Sequence, residues 1–138
     1  MGNDIMTYKF IEHTSDIIIE AKGSTFIEAF ESMAEGMFTQ MGKGEPKAKF
    51  ELEIEAKNLE MLVVNTLSEI LAEVEIRGVT PAKLKVERFD KDQPMLIVSV
   101  YGEKKSPKNI VKAVTFHELI VKEDKNKREW TMQVLFDI

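Results

Sequence analysis

Phe26, Ala29, Phe30, Met33, Ala34, Met37, Phe38 and Met41 recur at spacings of three and four residues, which places all eight on one face of a helix. A stripe this apolar has to be covered, so the chain needs a sheet or a second helix to lie against it. Aromatic and methionine side chains could also line a ligand groove, but at this spacing they read as core. The ends of the helix are marked as well. Thr25 and Glu28 form a capping box, in which the hydroxyl accepts from one free N–H of the first turn and the carboxylate reaches back to another. Gly42 is placed to stop the helix, and Gly42-Lys43-Gly44-Glu45-Pro46 reads as a loop.

What covers that stripe is β structure. Tyr8 to Glu12 and Ile17 to Ala21 read as two strands joined by His13-Thr14-Ser15-Asp16. Phe50, Leu52, Ile54 and Ala56 alternate with Glu51, Glu53, Glu55 and Lys57, the period of a strand with one dry and one wet face. Asn58 caps a second helix with Leu59, Leu62, Val63, Thr66, Leu67, Ile70, Leu71 and Val74 on its apolar face and Asn65 as the odd polar residue at the edge. Gly78 and Pro81 end it. Strands then follow at 83–89, 95–101, 110–121 and 129–136, separated by a turn at 90–94, a lysine-rich loop at 102–107 and a hairpin tip at 123–127. The order ββαβαββββ predicts an α+β fold. Two helices pack on one face of a mostly antiparallel or mixed sheet, in a single domain over residues 1–138.

Net charge is −5, from 19 basic and 24 acidic residues, the wrong sign for a chain that grips phosphate backbones unaided. No strong direct binding of nucleic acid is expected. Two local basic clusters stand out. Lys122, Lys125, Lys127 and Arg128 are interrupted by acids and read as a solvated hairpin tip. Lys104, Lys105, Lys108 and Lys112 form a patch suited to an acidic protein surface or a nucleotide. The chain has no cysteine, which removes disulfides, thiolate metal sites and thiol nucleophiles. It has no apolar run of membrane-spanning length and no basic-then-apolar leader. The expectation is a cytoplasmic protein with no membrane contact.

Motifs for chemistry are sparse. The glycines fall into neither a dinucleotide nor a P-loop spacing, and no G-x-S-x-G elbow occurs. His13 and Ser15 could pair as base and nucleophile, but nothing in the sequence supplies an oxyanion hole. Asp, Ser and Thr are also ordinary turn residues. The other histidine, His117, lies in a strand-like apolar run. At the far end, a strand runs straight into Asp137-Ile138. Asp16, Asp137 and the α-carboxylate of Ile138 would make three anionic groups, which repel unless a cation sits between them. All-oxygen ligation suits Ca²⁺ or Mg²⁺, whereas recruiting His13 or His117 shifts the preference towards Zn²⁺ or Mn²⁺. A solvated acidic end is the alternative.

Four landmarks together carry a resemblance. These are His13-Thr14-Ser15-Asp16 before an apolar strand, Glu28-Ala29-Phe30-Glu31 in the first helix, Val111-Lys112-Ala113-Val114-Thr115-Phe116-His117, and Phe136-Asp137-Ile138. In this order they resemble the archease family over nearly the whole chain. The resemblance implies an accessory protein rather than an enzyme. Such a protein activates an RtcB-type RNA ligase in tRNA splicing by promoting its guanylylation and multiple turnover, and it broadens the ligase's nucleotide use. It further implies a divalent cation, calcium first and magnesium, manganese or zinc after it, held by Asp16, Asp137 and Ile138. His13, His117 and Lys112 are expected close to the site or in the function. Lys112 is also singled out by its place as a lone cation in an apolar run beside the basic loop. The chain departs from the family pattern at Ser15 and Ile18 (Ala and Gly there), at Asn65 (Asp there), at Thr115-Phe116-His117-Glu118 (Thr-Tyr-His-Asp there), and in a shorter loop before Lys112. A free-standing metal-dependent or Ser/His hydrolase and a chaperone-like binder are the competing expectations.

Overall fold

The computed structural model describes residues 6–12 and 15–138. Strands β1 (Thr7–Glu12) and β2 (Asp16–Gly23) lead into helix α1 (Phe26–Met41). Then come β3 (Ala48–Glu55), helix α2 (Leu59–Arg77), β4 (Thr80–Asp90), β5 (Met95–Glu103), β6 (Ala113–Asp124) and β7 (Glu129–Asp137). The expected order ββαβαββββ is the observed one, and the class is α+β.

The sheet, however, is two sheets. One has the order β1-β2-β7-β6 and the other β3-β5-β4, every pair antiparallel. The split falls between β5 and β6, which are consecutive in the chain but lie in different sheets. The connection at 104–112 is instead tied to the end of α1, where the Asn109 amide group donates to the Gln40 carbonyl at 3.1 Å and the Asn109 N–H to the Met41 carbonyl at 3.4 Å. Those carbonyls are among the orphaned acceptors of a helix end, so capping α1 carries the chain from one sheet to the other.

α1 begins at Thr25, whose hydroxyl accepts from the Glu28 N–H at 3.1 Å. The Glu28 carboxylate reaches back one residue further than a standard capping box, to the N–H and hydroxyl of Ser24. Gly42 closes the helix at φ 100°, in the left-handed region that favours glycine. α2 is bounded in the same way by Asn58, which accepts from the Met61 N–H at 2.8 Å, and by Gly78 at φ 64°.

The apolar stripe of α1 is fully covered. Phe30, Met33, Met37 and Phe38 are buried among Ile19 and Ala21 of β2, Met132, Val134 and Phe136 of β7, and Leu84 and Val86 of β4. Phe26 is the joint between the two sheets. It stacks on Phe89 of β4 with ring centroids 4.2 Å apart and meets Trp130 of β7 edge-on at 5.4 Å. The Glu31 carboxylate closes part of the outer edge of β4 by accepting the Val86 N–H at 2.9 Å. β5 is the middle strand of its sheet. Asn65 is half-buried at the rim of α2's apolar face.

Glu103 anchors the exit from β5. Its carboxylate accepts the Glu45 N–H at 3.0 Å and pairs with Lys105 at 3.5 Å and Lys47 at 3.8 Å. The carboxyl is held below its ordinary 4.5, first by that hydrogen bond and then by the two lysines, against some desolvation. A carboxyl whose pKa is lower in the folded state contributes stability that is complete above the unfolded value and is lost as pH falls through the folded one. Glu103→Gln should therefore lower stability at neutral pH more than below pH 4.5. Denaturant melts at both pH values check this, and an equal loss at both would contradict it.

Candidate metal centre

Period-two alternation sorts the ends of β2 and β7 onto two faces. Ile17 and Ile19 on β2, and Val134 and Phe136 on β7, point into the core under α1. Asp16, Ile18 and Glu20 on β2, and Gln133, Leu135 and Asp137 on β7, therefore share the opposite face. The ladder puts Asp16 directly opposite Asp137, Ile17 opposite Phe136 and Ile18 opposite Leu135. Directly opposed residues of an antiparallel pair have Cβ atoms about 4.5–5.5 Å apart. Two carboxylates thus rise side by side from neighbouring strands, the Asp16 side half-buried and the Asp137 side exposed.

Beyond Asp137, the Ile138 N–H donates to the Ser15 carbonyl at 3.2 Å, and the Ile138 side chain packs against the core. This contact fixes the main chain of Ile138 next to the turn that carries Asp16. On the other flank, Asp137 is opposite Ala113, and the Lys112 N–H donates to the Asp137 carbonyl at 2.7 Å. The next cross-strand row is apolar, running Ile11–Ile18–Leu135 to Thr115, and Ile18 and Leu135 are buried although they lie on the outer face. The Thr115 hydroxyl donates to the Leu135 carbonyl at 3.1 Å.

Like charges placed directly opposite in a ladder destabilise it. The donor set is oxygen-only and anionic, which suits a hard divalent cation. Asp137 makes no ion pair among the described residues. Nor do three His, Asp or Glu side chains gather at any one point among them. Among the described residues, the oxygens gathered at this point are those of Asp16, Asp137 and the neighbouring main chain.

The remaining candidates fall in different places. His13 lies outside the described residues. His117 is 75% exposed, on an irregular stretch of β6 between Thr115 and Ile120, with Nε2 3.7 Å from the Glu118 carboxylate. His117 thus sits within a strand as expected, but the strand is irregular there, with Glu118 at φ 55° and its carbonyl accepting from the Gln133 amide at 2.9 Å. Lys112, expected inside a strand, is exposed and immediately precedes β6. Ala113 and the buried pair Ile18 and Leu135 frame the carboxylates; Leu135 was not singled out in the sequence, and neither Ala113 nor Ile18 was expected to flank the site.

Residues 8–138 match the model of the Archease protein family (MTH1598/TM1083). The archease of Pyrococcus furiosus is 34% identical over 140 residues, covering 95% of this chain and 98% of that protein. The archease of Thermococcus kodakarensis is 32% identical over the same shares of both chains. Among solved structures, protein 1598 of Methanobacterium thermoautotrophicum superposes with a TM-score of 0.77 at 26% identity, over 95% of this chain and 98% of that one. A Thermotoga maritima protein described as an archease and possible chaperone has the same fold, with a TM-score of 0.71 at 24% identity over 94% and 96% of the two chains.

Proposed function

The chain belongs to the archease family, and we propose that it activates an RtcB-type RNA ligase of tRNA splicing by protein contact and a bound divalent cation. It does no chemistry of its own in this reading. It promotes guanylylation and repeated turnover of the ligase and broadens the nucleotides the ligase accepts. The observation that carries the reading is the register that sets Asp16 opposite Asp137 at the paired ends of β2 and β7. Asp16 and Asp137 supply anionic oxygens and the carboxylate of Ile138 a third, with calcium the favoured ion among the divalent cations. When bound, such an ion neutralises the clustered charge and offers a positive centre to phosphate or carboxylate oxygens. The hydrogen bond from the Lys112 N–H to the Asp137 carbonyl locks the β7 end in place and brings the Lys112 backbone beside it. Its exposed ammonium is free to meet an anionic group of the ligase.

Position, rather than side-chain identity, should govern the third ligand. One glycine added after Ile138 keeps every side chain but moves the terminal carboxylate by up to ~3.3–3.6 Å. Coordination to a hard ion at about 2.3–2.6 Å does not absorb that shift unless the strand end rearranges. The extended protein should fold normally and bind Ca²⁺ more weakly in a calorimetric titration, while Ile138→Val should match wild type. Wild-type affinity in the extended protein would remove the Ile138 carboxylate from the site.

A chaperone-like role is the second reading. The half-exposed Phe10 and Ile11 of β1 favour it, because exposed apolar side chains on an edge strand invite pairing with another chain. Suppression of client aggregation that survives Asp16→Asn would support that role over ligase activation. Turnover of phosphoesters by the purified chain alone, lost in the same variant, would point to a hydrolase.

A further inference from the structure

Nine residues between β5 and β6, Lys104 to Lys112, carry four lysines and no acid in a chain whose net charge is −5. Lys105 shares Glu103 with Lys47. Lys104, Lys108 and Lys112 are exposed and make no ion pair among the described residues. Between them Ile110 stands 73% exposed. Such a segment would ordinarily be a loose loop, yet this one is tied down along its length. The Thr80 hydroxyl donates to the Lys105 carbonyl at 2.8 Å, Asn109 caps the end of α1, and the Lys112 N–H is bonded to β7. The apolar stem of Lys108 lies over Gly42.

Beneath it run two adjoining cavities of about 300 and 310 Å³, which share Leu71, Glu75 and Val111. The first is walled by Val74 and Ile110, and the second opens at Lys112 and Ala113, next to the carboxylate pair. The result is a groove along α2 that is apolar around Leu71, Val74 and Ile110, carries the exposed Glu75 in both cavities and Lys112 at one end, and is flanked by the segment that bears Lys104 and Lys108. Among the described residues no aromatic side chain lines it, so they offer no platform on which unpaired bases stack. An apolar anchor flanked by carboxylates satisfies both the floor and the rim.

We propose that this groove and its lysine rim dock an acidic segment of the partner ligase that inserts an apolar side chain over Leu71 and Val74. The inference rests on the proposed ligase-activating function and adds the surface through which it operates. Purified cognate ligase is titrated against wild type, Lys104→Glu/Lys108→Glu and Ile110→Asp, with single-stranded RNA as a parallel probe. All three substituted side chains are exposed, and thermal melts confirm that the variants fold. Each variant should bind the ligase about tenfold more weakly or worse. Wild-type affinity should fall with added salt, and full stimulation should return when the variants are supplied in excess. Unchanged ligase affinity in the variants would overturn the docking surface and leave ligase activation standing. Loss of RNA binding with unchanged ligase binding would overturn it too, in favour of a nucleic-acid contact. Wild type that fails to bind the ligase at all would remove the proposed function itself.

Discussion

Asp16→Asn and Asp137→Asn should each weaken Ca²⁺ binding by at least about tenfold, because even residues one step removed from a metal cost about 10–100-fold when changed. The amide retains an oxygen but loses the charge that makes the opposed pair a cation site. In Asp137→Asn, whose carboxylate makes no ion pair among the described residues, apo stability should move the other way. Removing one of two like charges placed directly opposite, Asp16 against Asp137, relieves a repulsion worth a few tenths of a kcal/mol, up to about 1. Weaker metal binding with unchanged or slightly raised apo stability distinguishes a ligand from a structural carboxylate. Calorimetry with Ca²⁺, Mg²⁺, Mn²⁺ and Zn²⁺ on metal-free protein, beside denaturant melts, reads both quantities. Equal metal affinity in wild type and both variants would place the ion elsewhere or nowhere.

The largest stability effect is expected at Phe30. Its side chain is fully buried between β2, β7 and β4 and packs 6.3 Å from Phe26, which itself joins the two sheets. Phe30→Ala should cost about 3–5 kcal/mol, the transfer term plus a cavity that the surrounding strands cannot close. For a domain of this size that lowers Tm by roughly 10–20 °C. Phe30→Leu, which refills most of the space, should lose clearly less. A melt of Phe30→Ala within a degree or two of wild type would mean that α1 does not clamp the sheets together.

The helices were legible in the sequence because their evidence is local. The three-four spacing from Phe26 to Met41, the Thr25 and Asn58 caps, and Gly42 and Gly78 each act within one turn, and each is found where expected. The strands were legible as elements for the same reason, but their pairing was not. Alternation along Phe50 to Glu55 says which face is dry and nothing about which strand lies beside it. The split into two sheets follows from long-range choices, the capping of α1 by Asn109 and the Phe26–Phe89–Trp130 joint, to which no spacing rule refers. Strand β6 shows the limit most clearly. An apolar run at 110–121 reads as one strand, yet it starts at Ala113 and is distorted between Thr115 and Ile120, which leaves Phe116 54% exposed and His117 in solvent.

The acidic site was half legible. Asp16 and Asp137 stand out because one opens an apolar strand and the other closes one, and their residue types suggest a cation. Their meeting depends on one register among several, since a slip of one residue would have turned Asp137 to the other face. Pairing Ile17 with Phe136 and Ile19 with Val134 buries both apolar rows under α1, and the core thereby sets the two carboxylates opposite each other. Position 112 shows the reverse case, because a cation expected within a strand stands before it and is tied to the site by its backbone N–H.

Ligase activation through this site requires the opposed carboxylates of Asp16 and Asp137. The most direct test is multiple-turnover ligation of a nicked or cleaved RNA by the cognate RtcB-type ligase, with the ligase limiting. Wild type, Asp16→Asn, Asp137→Asn and no added protein are compared in the presence of Ca²⁺ and of a chelator. Ligation beyond one turnover is expected with wild type, near-single turnover with either variant or without the protein, and no joining by the protein alone. Stimulation that is equal for wild type and both variants, or no stimulation by wild type, would contradict this expectation.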